Sequence, residues 1–181
     1  VMKTLQRDLE LLQKENVEFF EVLGREVRVS GEFEGQKLKG FIDRLDSFHP
    51  GQVRVVDYKT GKVLDDDEKI TDDNAEAIAD KIFAEDIKER PKIALQFFIY
   101  DLLVQDHPLA KGRQIYNCVY STARLFKEPP LNVPRNEKFF EAVSHRLGET
   151  LQEMYSLDVP FRRTKDEKVC EYCDFKMICG R

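Results

Sequence analysis

The chain has 181 residues, a length that favours one domain, and its 41% hydrophobic residues and 13 phenylalanines are too many for a disordered chain. Its net charge of -5 excludes a global basic field, so any contact with nucleic acid has to be local. The most apolar stretch, residues 93–104, is interrupted by Gln96 and Asp101 and is too short to span a bilayer, while charges in the first ten residues argue against a signal peptide. We therefore expect a cytoplasmic protein with no segment in a membrane.

Hydrophobic periodicity predicts the order of the secondary-structure elements. These are a helix over residues 3–20, a β-hairpin from Glu26, a third strand over residues 53–58, helices after Asp73 and from Pro91, a strand over 114–121 and a helix over 136–155. Asp73 and Glu76 fit a capping box. Acidic residues make the segment 62–90 a peripheral insertion. The fold class is therefore α/β, a mixed sheet covered by helices.

Two of the predicted strands carry charged residues on faces that should be buried. Alternation places Asp57 and Lys59 on the face of the third strand that also carries two valines, and it places Asp43 on a face shared with Phe41 and Leu45. A buried carboxylate needs a cation or hydrogen-bond donors, so two converging carboxylates with one lysine suit a Mg²⁺ site. The alternative, which a D-x-K tripeptide alone favours, is a structural cluster of ion pairs.

Three short motifs stand in series along the chain. They are GFIDRLD from Gly40, VVDYKTG from Val55 and QFFIY from Gln96. Their order resembles the nuclease domains of the RecB and AddB type in the PD-(D/E)XK superfamily, over residues from Glu26 to Cys179. The resemblance implies a restriction-endonuclease-like core, one nuclease domain over residues 1–181, and hydrolysis of DNA phosphodiesters with Mg²⁺ or Mn²⁺.

The resemblance also implies roles for individual residues. Asp43 and Asp57 would bind the metal with the backbone carbonyl of Tyr58, Lys59 would assist the attacking water, and Gln96 and Tyr100 would support the site and contact DNA. Arg44 and Asp46, on the opposite strand face from Asp43, are interpreted as structural. The catalytic set implied by the resemblance is thus two acids and one lysine.

One departure from the family concerns the helix before the hairpin, where relatives often carry a metal-binding His or Glu. Here that helix offers Glu10, Glu15 and Glu18 without a histidine. Glu26 resembles a recurrent upstream glutamate but receives no role. Either one of the helix glutamates substitutes, or the site works with two acids.

The segment 166–181 forms a cysteine-rich tail. Cys170, Cys173 and Cys179 follow the spacing C-x2-C-x5-C, which indicates zinc or an iron-sulfur cluster. The resemblance implies that they supply three ligands of a 4Fe-4S cluster whose fourth cysteine lies far upstream. Cys118 is interpreted as a buried thiol, and we expect the chain to be the C-terminal part of a larger protein that holds the fourth ligand.

The expected function is that of a DNA exonuclease in recombinational repair, partnered by a helicase domain or subunit. A stand-alone CRISPR-associated exonuclease of the same superfamily is a second enzyme hypothesis. A non-catalytic DNA-binding module that keeps the nuclease fold is the alternative from another class. A zinc-stapled interaction domain would not explain the charges on two strands that face the core.

Overall fold

A computed structural model describes residues 2–61, 63, 69–84, 90–160, 162–165 and 167–180. The elements are α1 (Met2–Glu15), β1 (Glu21–Phe33), β2 (Gln36–Ser47), β3 (Gln52–Lys59), α2 (Ala75–Phe83), α3 (Lys92–Val104), β4 (Gln114–Ser121), β5 (Val133–Pro134) and α4 (Glu137–Tyr155), with a short 3-10 helix at Glu167–Cys170. They form the expected α/β fold. Among these elements no helix has both the length and the apolar character that crossing a bilayer requires.

The five strands form one mixed sheet in the order β1-β2-β3-β4-β5. The first three strands are an antiparallel meander, as predicted, and β4 lies parallel to β3 over its full length from Gln52↔Gln114 to Lys59↔Ser121. A parallel pair needs a long crossover connection, which here contains α2 and α3. That crossover lays α3 across the face of the sheet that carries Asp57.

Helix α3 is apolar on every side because it is buried on every side. Its Tyr100 and Leu103 pack with Val55 and other residues of the sheet, and Phe98 packs with α2 and α4 on the opposite side. Helix α2 lies in the segment 62–90 that we expected to be peripheral. Four of its apolar residues are nevertheless buried against α3 and α4: Ala75, Ile78, Ala79 and Ile82.

A buried network of charges joins α1 to the other face of the sheet. Arg44 donates from Nη1 and Nη2 to the two carboxylate oxygens of Asp8, at 3.1 and 3.0 Å, and Tyr120 donates to the same carboxylate at 2.6 Å. Arg54 makes a second bidentate pair with Asp46, 2.8 Å in each contact. Burial alone would lower the pKa of Arg54, but its hydrogen bonds to Asp46 raise that pKa above the ordinary value, so the guanidinium stays charged. Arg44 and Asp46 thus make the structural contacts expected of them.

Several elements differ from the prediction, among them β1, which begins at Glu21 where the hairpin was predicted to start at Glu26. Helix α1 ends at Glu15, not at residue 20, because Asn16 adopts a left-handed φ of 55° and Val17 N–H donates to the Leu12 carbonyl. Phe20 instead stacks on Phe48 with ring centroids 5.1 Å apart. The capping box was also wrong, since α2 begins after Asn74, and β5 was not predicted at all.

Candidate active site

The hairpin of β1 and β2 changes its side-chain alternation where it passes the end of β3. Glu26 has a left-handed φ of 48°. It lies opposite Asp43, between the register pairs Arg25↔Arg44 and Val27↔Ile42. Ile42 and Leu45 are three residues apart yet belong to the same buried cluster, so the alternation of β2 breaks between them. The prediction that Phe41 and Leu45 share a buried face with Asp43 was therefore wrong for Phe41, which is 60% exposed.

Asp43 lies where β2 and β3 separate. The ladder between these strands runs from Asp46↔Arg54 to Arg44↔Val56 and stops there. Beyond it, the backbone N–H of Tyr58 donates to Asp43 Oδ2 at 2.8 Å. The carboxylate thus takes the place of a strand carbonyl and is held beside the end of β3.

Asp57 is the most constrained group of the site. It is 5% exposed, and its Oδ1 accepts from Gln96 Nε2 at 3.0 Å and from the Tyr100 hydroxyl at 2.8 Å. Gln96 and Tyr100 are four residues apart on α3 and therefore reach the same carboxylate from one helix face. Burial and the hydrogen bond to Asp57 raise the pKa of Tyr100, with a smaller contribution from the charge of Asp43, so the tyrosine remains a neutral donor.

The second oxygen of Asp57 is left without a hydrogen bond. Oδ2 is buried and has no hydrogen-bond partner among the described residues, although Lys59 Nζ lies 2.8 Å from it as an ion pair. The Lys59 side chain is 34% exposed, so the site opens to solvent on that side. A buried, unsatisfied carboxylate oxygen near a second carboxylate is the donor set that a hard divalent cation prefers. The residues present therefore fit a magnesium or manganese ion.

The described residues provide no third His, Cys, Asp or Glu side chain as a ligand. Within them, no group of three or more His, Cys, Asp or Glu side chains converges as a metal site. Glu10 pairs with Arg7, and Glu15 lies 3.5 Å from His49. Glu26 lines an open depression together with Arg25, Asp43 and Tyr58. Strand alternation did not predict that Arg25 lines this depression, because its placement depends on the left-handed φ of its neighbour Glu26.

Tyr58 and the cysteines complete the predicted set. The Tyr58 side chain is 42% exposed, and its ring lies 5.5 Å from Tyr120, on the α1 side of the sheet. Cys118 is fully buried in the cluster beneath α1. The tail cysteines are half-buried at Cys170 and Cys173 and exposed at Cys179. These three do not converge as ligands in the part of the chain that the structure describes.

Two of the three comparisons with known proteins found similar proteins. A family model described as the PD-(D/E)XK nuclease superfamily matches residues 2–180. Among solved structures, SSO0001 is similar at 19% identity and a TM-score of 0.42, over 95% of this chain and 66% of that one. An exonuclease candidate from Eubacterium rectale is similar at 16% identity and a TM-score of 0.43, over 83% of this chain and 50% of that one. The chain thus spans less than two thirds of either structure, and a search of the curated proteins found no match.

Proposed function

Because this chain belongs to the PD-(D/E)XK nuclease superfamily, we propose that it is a Mg²⁺- or Mn²⁺-dependent exonuclease that hydrolyses DNA phosphodiesters. The observation that carries the proposal is the buried oxygen Oδ2 of Asp57, which has no hydrogen-bond partner among the described residues and lies 2.8 Å from Lys59 Nζ. Asp43 supplies the second carboxylate, and the backbone carbonyl of Tyr58 is the proposed third oxygen.

The metal and the protein groups contribute different chemistry. When bound, a divalent cation polarises a phosphoryl oxygen and lowers the pKa of a coordinated water. Lys59 carries a positive charge at the edge of the site, where it stabilises the negative charge that develops on the phosphate and orients the attacking water. Gln96 and Tyr100 occupy Oδ1 of Asp57 and so direct Oδ2 toward the open site.

The test is cleavage of end-labelled single- and double-stranded DNA with Mg²⁺, Mn²⁺ or EDTA. We expect Asp57→Asn and Lys59→Ala each to lower the rate by roughly 10²–10³-fold, the cost of removing a group that stabilises developing charge. Asp106→Asn and Lys111→Ala change exposed residues outside the site and serve as matched controls. Cleavage that survives both site substitutions, or that proceeds in EDTA, would contradict the proposal.

Binding without cleavage in any metal would instead support a non-catalytic DNA-binding module. The specific observation behind this second candidate is that no group of three or more His, Cys, Asp or Glu side chains converges as a metal site among the described residues. Repeating the assay with a longer protein would separate a non-catalytic module from a domain that needs further chain for activity.

We extend the proposal to the role of the protein in the cell. A helicase domain or subunit would supply the DNA during recombinational repair in the cytoplasm. The other enzyme hypothesis is a stand-alone CRISPR-associated exonuclease. The C-x2-C-x5-C spacing supports a 4Fe-4S cluster at Cys170, Cys173 and Cys179 in a longer protein. We expect iron-dependent visible absorbance from that protein and none from this chain. Absorbance from this chain that is lost in Cys118→Ser would instead make Cys118 a ligand.

A further inference from the structure

Beyond Glu26 and Asp43, β1 and β2 continue as a two-stranded ribbon over residues 27–33 and 36–42. One face of this ribbon packs toward α3, where a Cβ at Gly31 would lie 3.2 Å from Leu103. On the opposite face every side chain is exposed: Arg28, Ser30, Glu32, Lys37, Lys39 and Phe41. We call these six residues the ribbon face.

The ribbon face is basic although the chain as a whole is acidic. It carries three cations and one carboxylate, whereas the net charge of the chain is -5. Lys37 lies opposite Glu32, and Lys39 lies opposite Ser30. Among the described residues, none makes an ion pair with Lys39, so its charge is available to an anionic ligand.

An aromatic ring ends the ribbon face on the side of the candidate site. Phe41 is 60% exposed, and the guanidinium carbon of its cross-strand partner Arg28 lies 5.5 Å from the ring centroid. Phe41 stands two residues before Asp43, a distance of about 7 Å along a strand. The aromatic end of the ribbon face is therefore two residues along β2 from a carboxylate of the site.

We propose that the ribbon face binds single-stranded DNA, with one nucleobase stacked on Phe41 and phosphates near Arg28, Lys37 and Lys39. Proteins that bind single strands combine cations that follow the backbone with aromatic rings that stack on unpaired bases. A duplex offers no unpaired base to Phe41, so the face selects single strands. This inference rests on the proposed function, in which Asp43, two residues after Phe41, holds the metal.

The first test measures binding of a fluorescent oligonucleotide by anisotropy in EDTA, where cleavage does not intervene. We expect Phe41→Ala to weaken binding by about 5- to 150-fold, the range for loss of one base stack, and Phe41→Trp to restore it. Phe19→Ala is the matched control, because Phe19 is 75% exposed and precedes the far end of β1. The double variant K37Q/K39Q is expected to lower the slope of log affinity against log salt by about 1.4, or about 0.7 for each lost phosphate contact.

The second test locates the stacked base. A single abasic nucleotide is moved along the oligonucleotide, and we expect one position to weaken binding by the wild type but not by Phe41→Ala, because the same contact cannot be lost twice. Equal affinity of Phe41→Ala and wild type, or an equal loss of affinity for duplex and single strand, would overturn the inference. Phe41-dependent binding by a protein that never cleaves would keep the ribbon face and reject the nuclease, so the two proposals fail separately.

Discussion

Asp101 is a buried acid whose replacement should change how stability depends on pH. It lies on α3 and is 3% exposed, and its Oδ1 accepts from Asn117 Nδ2 at 2.8 Å. Burial raises the pKa of Asp101 to about 7, although the hydrogen bond from Asn117 and the charge of Arg135 both act to lower that pKa. Asp101→Asn keeps the shape and the acceptor oxygen while it removes the titration.

The sign follows from proton binding. Between the ordinary pKa of 3.8 and about 7, the folded protein holds a proton on Asp101 that the unfolded chain releases, so the folded state loses stability as pH rises through this window. The gap between those two pKa values corresponds to about 4 kcal/mol. Asn117 Oδ1 is buried without a hydrogen-bond partner among the described residues, so it is an available acceptor for the protonated acid. Asp101→Asn should therefore match the wild type near pH 4 and exceed it by up to about 4 kcal/mol above pH 7.

Urea unfolding at several pH values between 4.5 and 8 measures this difference. Other groups titrate in the same range, but the free energy of unfolding of the variant minus that of the wild type isolates Asp101. Asp106→Asn, five residues along the chain and exposed, should give a difference near zero at every pH. A difference for Asp101→Asn that stays constant with pH, or grows as the solution is acidified, would refute the reasoning.

Three further predictions concern positioning and stability. Tyr100→Phe removes one of two hydrogen bonds to Asp57 Oδ1, so the metal affinity, measured by titrating cleavage with Mn²⁺, should fall about 10- to 100-fold; an unchanged titration curve would contradict this role. Asp46→Asn removes the negative charge that pairs with the buried Arg44 and Arg54, so the free energy of unfolding in urea should fall by about 3–5 kcal/mol. A loss under about 1 kcal/mol would mean that the pairs are dispensable. Asn136→Ala removes the side-chain cap of α4, whose oxygen accepts from Phe139 N–H, and should cost about 1 kcal/mol by thermal unfolding, while an unchanged melting temperature would argue against the cap.

Elements defined by local pattern could be predicted from the sequence. The alternation from Gln114 to Ser121 gave β4 with its observed bounds, and apolar spacing over residues 136–155 gave α4 to within one residue. Elements that depend on contacts between distant parts of the chain could not be predicted. Phe20 continues the apolar spacing of α1, yet it is used in a stack on Phe48. β5 has two residues and exists only because β4 pairs with it.

The candidate site also has one part that the sequence predicted and another that it did not. Strand alternation pairs Asp57 with Lys59, and helical spacing pairs Gln96 with Tyr100. The resemblance implied that the two pairs share one site, and the structure brings them within hydrogen-bond or ion-pair distance. Their catalytic roles stay a prediction. The orientation of Asp43 depends on a break in the alternation of β2, which pairing between strands creates. Counting residues along one strand therefore placed Phe41 on the wrong face. The buried pairs of Asp8 were invisible for a related reason, because they join residues from α1, β2 and β4.

The irregular shape of β1 affects self-association as well as the site. β1 and β5 are the edges of the sheet, and exposed edge strands invite other chains to add to them. β5 is short and contains Pro134, which has no N–H to donate. β1 is long, but a register shift between Val22 and Gly24 and the left-handed Glu26 interrupt its row of backbone donors and acceptors. A second copy of the chain therefore meets no regular thirteen-residue template, because the regular part of this edge is limited to residues 27–33 of the ribbon.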